Sequence, residues 1–208
     1  MMELTFECSL RSVVLMITLR CTQKLLKRLG VPKKVETSAP MPTNVLGDWY
    51  ANLLHIERQQ LVLCMNERSL LVVLVPAKDG KTLPARMRSA VLDLLKRIGV
   101  SDAAIEAEAN AMREISIAPT ASKRVLGCMN DATLTLRFHM EEGQGRPIKD
   151  LEDIFSTSFY TFLDYRFPME HARALFEAAA GREIAETSLA GALAKITPWR
   201  QERVKGEG

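Results

Sequence analysis

The sequence predicts an α+β fold, a small mixed or antiparallel sheet with a central hairpin packed by several helices. Three observations carry that expectation. Two near-continuous apolar runs, Leu61–Met65 and Leu70–Val75, flank the polar turn Asn66-Glu67-Arg68-Ser69 and read as a buried hairpin. Amphipathic segments with recognisable starts and glycine stops separate the remaining strand-like stretches. Strands arriving singly and as a hairpin, with helices between them, belong to α+β architecture.

In chain order, residues 16–20 read as a short strand, and Thr22 opens a helix whose Leu25, Leu26 and Leu29 share a face before Gly30 ends it. Pro32, Pro40 and Pro42 mark Val31–Asn44 as a loop. Asp48 reads as the cap of a helical segment from Trp49 to Leu54. After the hairpin, Pro76 closes the second strand because it has no N–H to donate, and Asp79-Gly80 turns the chain. Thr82 then starts the best-specified helix: Met87, Val91, Leu94, Leu95 and Ile98 form one stripe, Lys96 and Arg97 sit at the negative end, and Gly99 stops it.

Ser101 opens an Ala- and Glu-rich helix to about Arg113, and Ile115-Ser-Ile117 alternates as a short strand before Pro119. A helix from about Ser122 to Glu141 gathers Val125, Leu126, Met129, Leu136 and Met140 on one side and Arg124, Gly127 and Asp131 on another. Gly143–Pro147 is a loop, an aromatic stretch runs from Phe155 to Phe167, and Pro168 begins a last helix that Gly181 ends. The expected organisation is an N-terminal extension over 1–15, a single domain over 16–181 and a partly mobile C-terminal segment over 182–208.

Composition narrows the function classes. The 208 residues are 47% hydrophobic, enough for a continuous core without metals or disulfides. A formal charge of +3 does not by itself argue for nucleic acid, although residues 1–35 hold seven basic side chains against two acidic ones. Cys8, Cys21, Cys64 and Cys128 lack C-x-x-C spacing, so no zinc site or disulfide framework is expected and a reducing cytoplasm suits them. The apolar run Val13–Ile17 is far shorter than the roughly 20 residues of a membrane span. P-loop, dinucleotide-binding, zinc-protease and nucleophile-elbow motifs are all missing, and no cofactor or metal is expected.

Three clusters can carry chemistry, each beside a simpler structural reading. In the first, Asp48 and His55 offer acid–base groups next to Trp49 and Tyr50, but a helix cap and core aromatics explain the same residues. In the second, the helix start at Ser122-Lys123-Arg124 can hold a phosphate, with Asn130 and Asp131 further along. Arg124 and Asp131 lie two turns apart on one side, a face that equally suits helix packing. The third, Tyr160–Pro168, interleaves aromatics with Asp164 and Arg166 and reads more simply as core.

The phrases Leu19-Arg-Cys-Thr-Gln-Lys-Leu-Leu26, Leu46-Gly-Asp-Trp-Tyr-Ala-Asn52, Leu61–Asn66 and Arg124-Val-Leu-Gly-Cys-Met-Asn-Asp131, with Asp164–Pro168, resemble an uncharacterised bacterial family of unknown function. The resemblance spans about Met16 to Gly181. It implies a single cytoplasmic domain and supplies no activity or catalytic residue.

Two functions remain. One is a binding or regulatory module for a protein or nucleic-acid partner, acting through the basic N-terminal helix and the Arg124/Asp131 face. The other is a small enzyme acting on a phosphate-containing substrate such as RNA or a nucleotide, with Arg124 on the phosphate and Asp48, His55 or Asp131 as acid or base. An enzyme should gather Asp48, Arg124 and Asp131 around one concave pocket, whereas a binding module should present a flat basic or apolar patch.

Overall fold

The computed structural model describes residues 16–32, 44–56, 59–142, 147–158, 160, 163 and 166–182. The expectations for residues 1–15, most of the Val31–Asn44 loop, Asp164, Tyr165 and the segment after 182 lie outside them.

Among the described residues, five strands and six helices follow in the order β1 (Met16–Cys21), α1 (Gln23–Leu29), β2 (Trp49–Ile56), β3 (Gln59–Asn66), β4 (Val72–Pro76), α2 (Leu83–Arg97), α3 (Asp102–Ala111), β5 (Glu114–Pro119), α4 (Lys123–Glu142), α5 (Ile148–Ser156) and α6 (168–182). The strands form one mixed sheet in the order β4-β3-β2-β1-β5. β1 runs parallel to β2 and β5, while β2, β3 and β4 pair antiparallel. The fold is therefore α+β with the mixed sheet expected, and the β3–β4 hairpin forms one of its sides.

Both sheet faces are covered. On one, Ile17, Leu19, Trp49, Leu53, Val62 and Val73 pack with α1, α2 and α6 through side chains such as Leu25, Met87, Leu94 and Phe176. On the other, Tyr50, Leu54, Leu63, Met65 and Leu74 pack with α4 and α5 through Val125, Met129, Leu136, Leu151 and Phe155. Alternation along each strand sends successive side chains to opposite layers.

That burial corrects the reading of residues 48–54. The segment is strand β2, not a capped helix: Trp49, Ala51 and Leu53 enter one core while Tyr50, Leu54 and Ile56 enter the other. A strand buried on both faces loses the polar–apolar alternation that would announce it. The sequence reading assigns no element to residues 148–154, between the Gly143–Pro147 loop and the aromatic stretch from Phe155. They belong to α5, begun after Pro147 and buried through Leu151, Glu152, Phe155 and Ser156.

The edge strand β4 is closed by side chains from the two helical layers. The Leu74 N–H, on the edge away from β3, donates to Glu152 Oε1 at 2.9 Å, and Arg97 of α2 donates to Glu152 Oε2 at 2.7 Å. Arg97 also reaches Asp153 at 3.2 Å. An unpaired edge N–H is a template for another strand, and Glu152 removes it.

Candidate anion-binding site

The β3–β4 turn is organised by Asn66, which is fully buried. Its Oδ1 accepts from the Arg68 N–H at 3.1 Å, the Ser69 N–H at 2.8 Å and the Ser69 hydroxyl at 2.8 Å. Its Nδ2 donates to the carbonyls of Leu46 and Asp48. All of its bonding capacity thus goes into fixing residues 66–70 against the loop before β2. Within this turn Leu70 is held at φ 57°, a left-handed conformation that a branched side chain adopts only under constraint.

The turn presents Glu67, Arg68 and Leu70 to a cavity of about 260 Å³ completed by Arg124 from the first turn of α4, Leu163, and Arg166 and His171 around the start of α6. Among the described residues, three guanidinium groups and an imidazole line the cavity with one carboxylate. Arg68 is anchored: its Nη1 donates to the carbonyls of Val45 at 2.7 Å and Asn44 at 3.3 Å. Its guanidinium lies over Gly47, where a Cβ would come 3.0 Å from Arg68 Nε and where φ is +74°. Close approach and backbone conformation both call for glycine here. Glu67 accepts a long hydrogen bond of 3.4 Å from the Tyr50 hydroxyl. Burial first, and then the Glu67 charge, push that hydroxyl above its usual titration range.

The sequence candidates are placed as follows. Arg124 lines the pocket, and Tyr50 touches it through Glu67. Asp48 is 2% exposed and structural: Oδ1 accepts from the Thr18 N–H at 3.1 Å and Oδ2 from Arg20 Nε at 2.8 Å, tying β1 to the start of β2. Trp49 is wholly buried in the core, as its reading as a core aromatic has it. His55 is exposed beside Gln60 near the far end of β2, about 17 Å along the strand from Tyr50 at the usual rise per residue. Asn130 and Asp131 are exposed on α4 and do not line the pocket. Asp131 acts instead on its neighbours: burial, with Cys128 and Asp131 nearby, pushes the Tyr160 hydroxyl up to about 12.

Asp48, His55, Arg124, Asn130 and Asp131 thus do not share one cleft. A concave pocket does form at Arg124, populated by residues from the β3–β4 turn and the α6 start. Glu67, Arg68 and His171 escape sequence reading because they come from distant segments with no spacing motif, whereas Arg166 belongs to the Tyr160–Pro168 cluster that reads more simply as core. Asn66 leaves a faint signal as a polar residue ending an apolar run.

Among the described residues no group of three His, Cys, Asp or Glu side chains is arranged to hold a metal ion. No described helix is long and apolar enough to cross a membrane.

A model of the domain of unknown function DUF6933 matches residues 18–171, most of the chain. The chain belongs to the DUF6933 family. The DUF6933 match takes in β1 from Thr18 onward, β2 to β5 in full and every described residue of the arginine pocket. No curated protein matches the chain.

Proposed function

We propose that the chain is a binding module that seats a phosphate group of a nucleic-acid partner in the pocket of Arg68, Arg124, Arg166 and His171. The observation that carries this reading is the convergence of these four side chains on a single cavity where Glu67 is the one carboxylate among the described lining residues. Guanidinium groups offer planar pairs of donors that match phosphate oxygens, and charge-assisted bonds of this kind are about twice as strong as neutral ones. At about 260 Å³ the cavity falls below the 300–1,000 Å³ usual for an engulfed small molecule, so it suits one end group of a larger partner. The first turn of the 20-residue α4, with exposed Lys123 beside Arg124, adds positive potential. Exposed Lys24, Lys27 and Arg28 on α1 offer further cationic stations for a repeating polyanion.

The buried free thiols of Cys21, Cys64 and Cys128 support a cytoplasmic setting. An enzyme using Asp48, His55 or Asp131 as acid or base has less support, because Asp48 is buried in its pair with Arg20 and His55 lies far along β2.

The test is fluorescence-anisotropy titration of a labelled, 5′-phosphorylated single-stranded ten-nucleotide RNA and its DNA counterpart. Arg166 is exposed, so Arg166→Ala should leave folding intact while weakening binding about tenfold, the scale of one charge-assisted contact. The slope of log K against log salt should fall by about 0.7 for each lost phosphate contact. Absence of low-salt binding to either strand, or unchanged affinity in an Arg124→Ala/Arg166→Ala double variant, would overturn the reading.

A further inference from the structure

The two outer strands of the sheet end differently. At β4 the outward Leu74 N–H is taken by Glu152, whereas at β5 no described residue plays that part. The direction of the β5 groups follows from β1. The Thr18 N–H goes to Asp48 and the Thr22 N–H to the Ala51 carbonyl at 3.0 Å, so Thr18 and Arg20 address β2 while Ile17 and Leu19 address β5. In the parallel register Ile17↔Ile115 and Leu19↔Ile117, the ladder bonds go to the residues on either side, Glu114, Ser116 and Ala118. Ile115 and Ile117 therefore turn their N–H and C=O groups outward. Pro119, next in the same alternation, has no N–H and ends the open edge.

A cavity of about 490 Å³ adjoins this edge, between the start of α2 and the start of β5. Lys81, Arg88 and Arg113 line it over Pro84, Met112 and Ile115, and no carboxylate is among its described lining residues. Arg88 is fixed by two hydrogen bonds to the Ala109 carbonyl, from Nε at 3.1 Å and Nη2 at 2.9 Å. None of the three cations makes an ion pair with a described residue. Glu114 belongs to the opposite face of the strand, because side chains alternate and Ile115 packs with the α2 layer.

We propose that β5 and this cavity form a docking edge for an extended acidic peptide of a partner protein. Its backbone pairs with Ile115 and Ile117 as an added strand, and its carboxylates, at every second position, reach Lys81, Arg88 and Arg113. Main-chain bonds of this kind give affinity, and the side chains that alternate onto one face select the partner. The charges also decide the occupant: they repel the same edge of a second copy and draw in a strand of opposite sign. The surface is separate from the arginine pocket and does not depend on the phosphate reading.

The probe is a labelled octapeptide of alternating glutamate and valine, titrated into the full-length chain and followed by fluorescence anisotropy and two-dimensional amide NMR. The lysine–valine octapeptide is the charge control. Two N-methylated forms, one methylated at every glutamate and one at every valine, each lack the donors of one edge of the strand. Lys81→Glu and Arg113→Glu reverse the charge at exposed positions. The expected result is saturable binding with amide shifts at Ile115 and Ile117, and loss of binding in one N-methylated form alone. The lysine peptide, and the folded Lys81→Glu/Arg113→Glu double variant, should bind at least tenfold more weakly. No saturable binding at millimolar peptide, equal affinity for the two peptides, or undiminished binding in the double variant overturns the acidic partner. Undiminished binding of both N-methylated forms overturns the strand pairing. Slow hydrogen exchange at Ile115 and Ile117 without peptide would show the edge already taken, by another segment of this chain or by a second copy, and overturns the proposal as well. Shifts at these amides with the RNA of the preceding test, and none with the peptide, would replace the peptide with a polynucleotide.

Discussion

Glu108 makes the stability of the fold depend on pH in a direction opposite to most paired carboxylates. Burial pushes its carboxyl up from the ordinary 4.5 to about 7, against the lowering effects of the Asn44 side chain, the Val45 and Leu46 N–H groups and the Arg68 charge. The folded chain therefore holds a proton that the unfolded chain has already released, so stability falls as pH rises from about 4.5 through about 7. A gap of that width corresponds to roughly 3 kcal/mol. Glu108→Gln keeps the shape and an acceptor, cannot ionise, and brings an amide donor that can satisfy Asn44 Oδ1 once the Asn44 side chain turns. Urea unfolding at pH 5, 6, 7 and 8 should show wild type losing stability relative to the variant across this window, with the variant ahead by up to about 3 kcal/mol at pH 8. Subtracting the two curves removes the carboxylates they share, Glu152 included. Parallel curves, or a variant less stable than wild type at pH 8, would refute the reasoning.

Glu152→Ala strips the Leu74 N–H of its acceptor and Arg97 of its buried partner, and should destabilise the fold by about 3 kcal/mol in urea unfolding. The same variant should scatter light at concentrations where wild type does not, since the β4 edge reopens, whereas Asp153→Ala, at an exposed partner of Arg97, should cost under about 1 kcal/mol. Gly47→Ala places a methyl group 3.0 Å from Arg68 Nε at a positive φ and should lose about 1–3 kcal/mol in stability together with oligonucleotide affinity. Retained affinity at reduced stability would show that Arg68 does not need its present seat to bind.

What the sequence discloses follows local periodicity. The α2 stripe and the β3–β4 hairpin each carry a complete signal within one segment, with a turn or glycine at the boundary. The signal for α5 is present as well, in Ile148, Leu151 and Phe155 after Pro147, but the aromatic stretch beginning at Phe155 overlaps it. β2 is different in kind. Gly-Asp-Trp-Tyr-Ala-Asn-Leu-Leu satisfies a capped helix about as well as a strand buried on both faces, and only its pairing with Leu19–Cys21 and Gln59–Asn66 decides between them.

The same distinction explains why the polar residues that look chemical from the sequence are not the ones that form the pocket. Asp48 stands out beside Trp49 and Tyr50, yet its carboxylate is consumed by the Thr18 N–H and Arg20, both about thirty positions earlier. Asn66 looks like an ordinary turn residue, yet it accepts three hydrogen bonds and donates two, and so holds Glu67, Arg68 and Leu70 at the cavity. A buried polar side chain must spend its bonding capacity on the backbone around it. The candidate site is found instead where exposed or half-buried charges from separate segments meet at a cavity, as Arg68, Arg124, Arg166 and His171 do. That meeting is set by the three-layer packing of turn, α4 and α6 rather than by any spacing along the chain.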